Sequence, residues 1–213
     1  MKTILSKIQS IVNFFKKKKN VVAIVLSGSA SYGDYKEGWS DIDLDIFVSD
    51  YTNFNTKNQL HVLTIKNYIE ECKKRSVLAY ILNRGILLYS QKDFKLKKPE
   101  LPAKEYYYVL QSNCATAFRL RNIYSDEIKK TRQLYHSLRH YIRAQALRFD
   151  KFPLTDKEIL CAATNILDSY YGDNEIVDLV YDLLKMKWTL KISNYEQMEE
   201  RIAKYLAKKF FKS

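Results

Sequence analysis

A chain of 213 residues with 46% hydrophobic and 28% charged residues is long enough for one large domain or two small ones, with apolar material for a core. No stretch approaches the roughly 18 consecutive apolar residues of a membrane span. Three cysteines (Cys72, Cys114 and Cys161) without any Cys-x-x-Cys argue against a disulfide framework or a zinc site, and make a reduced, cytoplasmic compartment the default; three scattered histidines argue against a histidine-rich metal site. The formal net charge of +12 favours anionic partners such as nucleotides, RNA or phosphorylated substrates.

In chain order, Ile4, Ile8, Ile11 and Phe15 recur at helical spacing and predict an amphipathic first helix rather than a signal peptide. The lysines 16 to 19 follow it, where cations complement a helix macrodipole. Val21 to Leu26 is a short apolar run rich in Val and Ile, which reads as a buried strand. Ser27 to Gly33 reads as a tight turn opening a short helix. Then Ile42, Leu44 and Ile46 alternate with Asp41, Asp43 and Asp45, so the three aspartates are expected on one face of a second strand. Residues 59–65 suggest a third strand, 67–75 a helix and 86–89 a last short strand.

Pro99 and Pro102 among lysines mark residues 93–103 as a linker, which divides the chain into 1–92 and 104–213. Beyond it the pattern is helical, with helices predicted over about 104–122, 126–149, 156–170, 175–187 and 195–211. Thr155 with Glu158, and Ser193 with Glu196, fit capping boxes, and Asp173 is placed to cap the fourth of these helices. On the wheel of the second, Ile128, Tyr135, Leu138, Ile142, Ala146 and Phe149 form a core stripe. Lys129, Arg132, His136, Arg139, His140 and Arg143 form a basic ridge. That ridge is either a solvated face or a wall toward a nucleotide or an anionic acceptor. Tyr106, Tyr107 and Tyr108 either pack the first helix of this part or stack on a base or sugar.

Two short motifs carry chemistry. In Leu26-Ser27-Gly28-Ser29, a strand runs into a glycine that permits close backbone approach, beside amide and hydroxyl donors suited to phosphate. In Ser40-Asp41-Ile42-Asp43-Leu44-Asp45, two carboxylates about 7 Å apart along a strand repel each other unless a cation neutralises them. Mg²⁺ takes such oxygen ligands together with substrate phosphates.

Together these motifs resemble the DNA polymerase β-like nucleotidyltransferase superfamily, in particular its minimal and antibiotic-modifying members. The signature there is a hydrophobic residue, Gly-Ser or Gly-Gly, a spacer of about a dozen residues, then acid–hydrophobic–acid–hydrophobic. The resemblance implies an α+β fold, in which a small mixed-sheet nucleotidyltransferase domain is followed by an all-α helical-bundle domain. It implies that Asp41 and Asp43 hold Mg²⁺ or Mn²⁺, and that Gly28 and Ser29, with Ser40 nearby, hold the phosphates of ATP or another NTP. The reaction it implies is transfer of NMP, with AMP from ATP favoured, to a hydroxyl of a small molecule, a protein or an RNA. Antibiotic-modifying members often build sites across a dimer, so a homodimer is an expectation by resemblance.

The chain departs from that pattern in two places. Aligning residues 60–63 with the strand that usually bears a third acid puts His61 at its position. Asp45, on the face of the pair, is then a substitute catalytic acid; alternatively the alignment slips, the base lies in the helical part, or the protein is a slow or inactive member acting as an antitoxin-like or RNA-binding protein. Ala30-Ser31-Tyr32 stands where many minimal members carry arginines. The spacing of Arg132, His136 and His140 does not fit the HEPN ribonuclease pattern.

Overall fold

The computed structural model of the chain describes residues 2–51, 61–91 and 93–210. The chain folds into two compact units, residues 1–35 with 40–103, and residues 36–39 with 104–213. Among the described residues no helix is long and apolar enough to cross a membrane.

The first unit is a four-stranded mixed sheet in the order β3-β2-β1-β4, where β1 is Val21–Ser27, β2 Asp43–Val48, β3 His61–Thr64 and β4 Ile86–Ser90. β1 lies antiparallel to β2 and β4, and β2 lies parallel to β3. Both faces are covered, so each strand's alternation sorts its side chains into two cores. Ile24, Leu26, Leu44, Ile46 and Val48 meet α1 (Lys2–Phe15) on one side. Ala23, Val25, Phe47 and Leu63 meet Tyr68 of α3 (Ile65–Lys73) on the other, after the short α2 (Gly28–Tyr32) has left β1.

The buried stripe of α1 is Ile4, Ile8, Val12 and Phe15; Ile11 is 38% exposed, because Val12 completes the i, i+4, i+8, i+11 face. The helix ends at Phe15, ahead of the lysine run, and Lys18 lies over the ring of Phe14. α3 begins one residue after β3, with the Thr64 hydroxyl accepting from the Asn67 amide. A further helix, α4 (Val77–Asn83), is capped by Ser76 and gives Leu82 to the same core. Of the strand expected over 59–65, residues 59 and 60 lie outside the described residues, as do Lys92 and Phe211. Phe94 and Leu96 pack on this core too, and the Lys97 amide donates to the Tyr68 hydroxyl.

The second unit is helical: α5 (Tyr106–Leu120), α6 (Glu127–Leu147), α7 (Asp156–Ala162), α8 (Ser169–Tyr171), α9 (Asn174–Thr189) and α10 (Tyr195–Phe210). Tyr135, Leu138, Ile142 and Ala146 of α6 lie in its core, with Ile128 and Phe149 at the edge. The Thr155–Glu158 capping box is formed. A single helix over 156–170 is not: residues 163–168 widen into a π-helical segment, where the Ser169 hydroxyl bonds back to the Thr164 carbonyl. Asp173 stands at the N-cap of α9, but its carboxylate turns inward to the Tyr205 hydroxyl at 2.7 Å and Lys209 at 2.5 Å, and caps no amide. Tyr108 is 74% exposed, whereas the Tyr107 hydroxyl accepts from Gln111 and Gln145. Trp39 is buried in this core, so the turn preceding the acidic motif belongs to the helical unit by its packing.

Candidate active site at the end of the sheet

β1 and β2 end and begin side by side: Ser27 pairs with Asp43 and Val25 with Asp45. Gly28 follows with φ +64°, a backbone conformation that an L side chain adopts only at a cost. A Cβ placed on Gly28 would overlap Oδ2 of Asp43 and lie 3.2 Å from its Cγ. The Asp43 carboxylate therefore rests against the glycine backbone. The turn beyond satisfies itself: the Ser31 hydroxyl donates to the Gly28 carbonyl, and the amides of Gly33 and Asp34 donate to the Ser29 carbonyl. The Tyr32 hydroxyl ties this turn to the Ile81 carbonyl of α4.

β2 starts at Asp43, so Asp41 and Ile42 precede the strand; Asp41 is exposed and Ser40 half-buried. Asp43 and Asp45 share a sheet face, with Asp43 exposed and Asp45 only 4% exposed. One Asp45 oxygen accepts from the Ser27 hydroxyl at 2.5 Å, and the other meets Nδ1 of His61 at 2.6 Å. His61 is directly opposite Asp45 in the parallel β2–β3 pairing. Its pKa is raised, first by the hydrogen bond to Asp45, against a lowering by burial, and further by the charges of Asp45 and Asp43. When protonated, His61 donates to a carboxylate whose other oxygen accepts from Ser27.

Among the described residues no three or more His, Cys, Asp or Glu side chains group to hold a metal by themselves. The structure seats one carboxylate, that of Asp43, against the Gly28 backbone. The residue that sequence reading did not connect is His61 with Asp45. The pairing register of two parallel strands leaves no local signal; only the period-two placement of Asp45 hinted at its face.

Residues 8–101 match the model of a nucleotidyltransferase domain. Among solved structures, a nucleotidyltransferase-like protein from Exiguobacterium sibiricum is similar, at 13% identity and a TM-score of 0.35 over 99% of this chain and 80% of that one. Comparison with curated proteins gave no match.

Proposed function

We propose that the protein, whose residues 8–101 match the model of a nucleotidyltransferase domain, is an Mg²⁺- or Mn²⁺-dependent nucleotidyltransferase. It moves NMP, AMP from ATP in the favoured case, to the hydroxyl of an acceptor. The observation that carries this reading is the seating of the Asp43 carboxylate against Gly28. Asp41 and Asp43 are the residues that would hold the cation. Bound there, a divalent ion neutralises phosphate charge and lowers the pKa of the acceptor hydroxyl. Gly28 and Ser29 would hold the phosphates, Ser29 through its hydroxyl, with Ser40 adjoining the pair. The acceptor hydroxyl gives up its proton to solvent, its oxygen bonds to the α-phosphorus as the bond to the bridging oxygen breaks, and pyrophosphate departs. Such chemistry rests on positioning and charge neutralisation. Asp45 supports the site from behind, oriented by Ser27 and His61.

The test is label transfer from each α-labelled NTP, with Mg²⁺ or Mn²⁺ and cell extract. The wild type is expected to label an acceptor, and Asp41→Asn and Asp43→Asn to lose at least a hundred-fold in rate. Either variant working like the wild type ends this reading.

A second reading is favoured by His61 itself. A histidine opposite Asp45, with both Asp45 oxygens engaged, supplies no further free acid at that point. A protein that binds nucleotide without transfer has that feature. Nucleotide affinity indifferent to Mg²⁺ would favour it over the enzyme.

A further inference from the structure

Arg132, His136, Arg139, His140 and Arg143 fall at i, i+4, i+7, i+8 and i+11 along α6, one continuous stripe. This stripe is not a solvated face. Arg143 is 4% exposed; its Nε donates to the Pro153 carbonyl at 2.8 Å, and its guanidinium lies 5.3 Å from the centre of the Phe152 ring. The Arg139 Nη2 donates to the Leu154 carbonyl at 3.0 Å and the Arg132 Nη1 to the Trp39 carbonyl at 3.1 Å. His136, Arg139 and His140 are half-buried. Two atoms in the middle of the stripe, Nε of Arg139 and Nδ1 of His140, are buried and meet no hydrogen-bond partner among the described residues. Nor is it an ordinary core, because a buried donor left unmade costs about 1–3 kcal/mol. Arginines crowd these atoms, with the Glu158 carboxylate held at the Leu154 and Thr155 amides. His136 is held well below its ordinary pKa by burial and by Arg139, His140, Arg132 and Arg143. His140 is held down to about 3 by burial, Arg143 and Arg139. On the neighbouring α7, Asp156 is bonded by Lys187 at 2.6 Å and by the Tyr135 hydroxyl at 2.7 Å.

We propose that His136, Arg139 and His140 form a binding site for the phosphate group of a small molecule. The guanidinium fork matches phosphate oxygens in geometry and charge. The Arg139 Nε–H and a His140 Nδ1–H, neither with a partner among the described residues, supply donors. A dianion also relieves the repulsion among the neighbouring cations. The site draws nothing from the Asp41–Asp43 reading.

The experiment is calorimetric titration of the full chain with inorganic phosphate, ATP and a sugar phosphate, in EDTA so that no divalent cation takes part. Phosphate is expected to bind, with affinity falling as NaCl rises. Arg139→Gln and His140→Phe are each expected to weaken it at least ten-fold, and Asp43→Asn to leave it unchanged. The His136 ring-proton titration, followed by NMR, is expected to move up in pH when phosphate is bound. ATP displacing phosphate assigns the group to a nucleotide. A sugar phosphate displacing it where ATP does not assigns it to a phosphorylated acceptor. Absence of binding, equal affinity in Arg139→Gln, or loss in Asp43→Asn overturns the site. Should the Arg139 variant not fold, a His136 resonance unmoved by phosphate in the wild type overturns it equally.

Discussion

Asp45 and His61 face each other across the parallel strands β2 and β3, oxygen to ring nitrogen at 2.6 Å, with the aspartate buried and the histidine side chain half exposed. The raised pKa of His61 means that the folded state holds its proton more tightly than the unfolded chain. The resulting stabilisation is full below about 6.5, the unfolded value, and is lost as pH rises through the folded value. Hydrogen exchange of the β2 and β3 amides is therefore expected to speed up as pH rises above about 6.5, beyond the intrinsic rate, in the wild type. His61→Gln should remove that extra dependence. An identical excess in the variant would place its origin elsewhere.

Gly28→Ala tests the cradle. The new methyl meets the Asp43 carboxylate, and the residue must keep φ +64°. The backbone alone costs about 1–2 kcal/mol, which urea unfolding followed by circular dichroism would register. Nucleotide binding in Mg²⁺ is expected to fall at least ten-fold, since Asp43 must move. Gly33→Ala is the control: its φ is +88°, but no atom lies within 4 Å of its added methyl. Similar binding losses in both variants would mean that strain, not the Asp43 contact, is responsible.

Asp45→Asn separates support from ligation. Both oxygens of Asp45 already accept, from Ser27 and His61, so an amide disturbs that network while Asp43 stays in place. A stability loss of about 1–3 kcal/mol is expected, with Mg²⁺-dependent nucleotide binding kept within a few-fold. Asp43→Asn should show the reverse pattern. Loss of Mg²⁺ dependence in the Asp45 variant would make it a ligand.

How far the sequence reaches is visible at particular residues. The apolar run of β1, the Gly28 turn and the alternation of Asp43 and Asp45 are local patterns, and local patterns can be read, although Asp41, expected on the same strand face, precedes the strand. Helix α4 was not, because Val77–Asn83 is seven residues of mostly apolar side chains without helical periodicity. The burial of Asp45 depends on which residue of β3 lies opposite, a long-range fact. Trp39 lies in sequence between the Gly28 turn and the acidic motif, yet it is 3% exposed in the helical core. Asp173 has the sequence of an N-cap, but Tyr205 and Lys209, far along the chain, compete for its carboxylate and win.

His136 and His140 make the helical unit sensitive to acid. Both imidazoles stay neutral in the fold, while the unfolded chain protonates them below about 6.5. The unfolded state then binds more protons, so stability falls with pH, by at most about 1.4 kcal/mol per pH unit for each ring. Trp39 and Trp188 are the chain's two tryptophans, and both lie in this unit, so their fluorescence reports on it alone. Urea midpoints are expected to drop between pH 6.5 and 5, and to drop less in His136→Gln. Saturating phosphate should reduce the drop further if it binds the stripe. Midpoints level across this range would exclude neutral, shielded imidazoles.

The buried ion pair between Lys187 and Asp156 offers a last check on the helical unit. Lys187 is 3% exposed, its ammonium 2.6 Å from Asp156, whose other oxygen accepts from Tyr135. Removing the lysine takes a cation from a buried carboxylate, and breaking such a pair from one side costs about 3–5 kcal/mol. Lys187→Met is expected to lower the urea midpoint of the tryptophan signal accordingly. Lys187→Met with Asp156→Leu should recover much of the loss, because no charge is then stranded, though the Tyr135 hydroxyl loses its acceptor. A single variant as stable as the wild type would mean that water or another cation already compensates Asp156, and the pair would then have no structural weight.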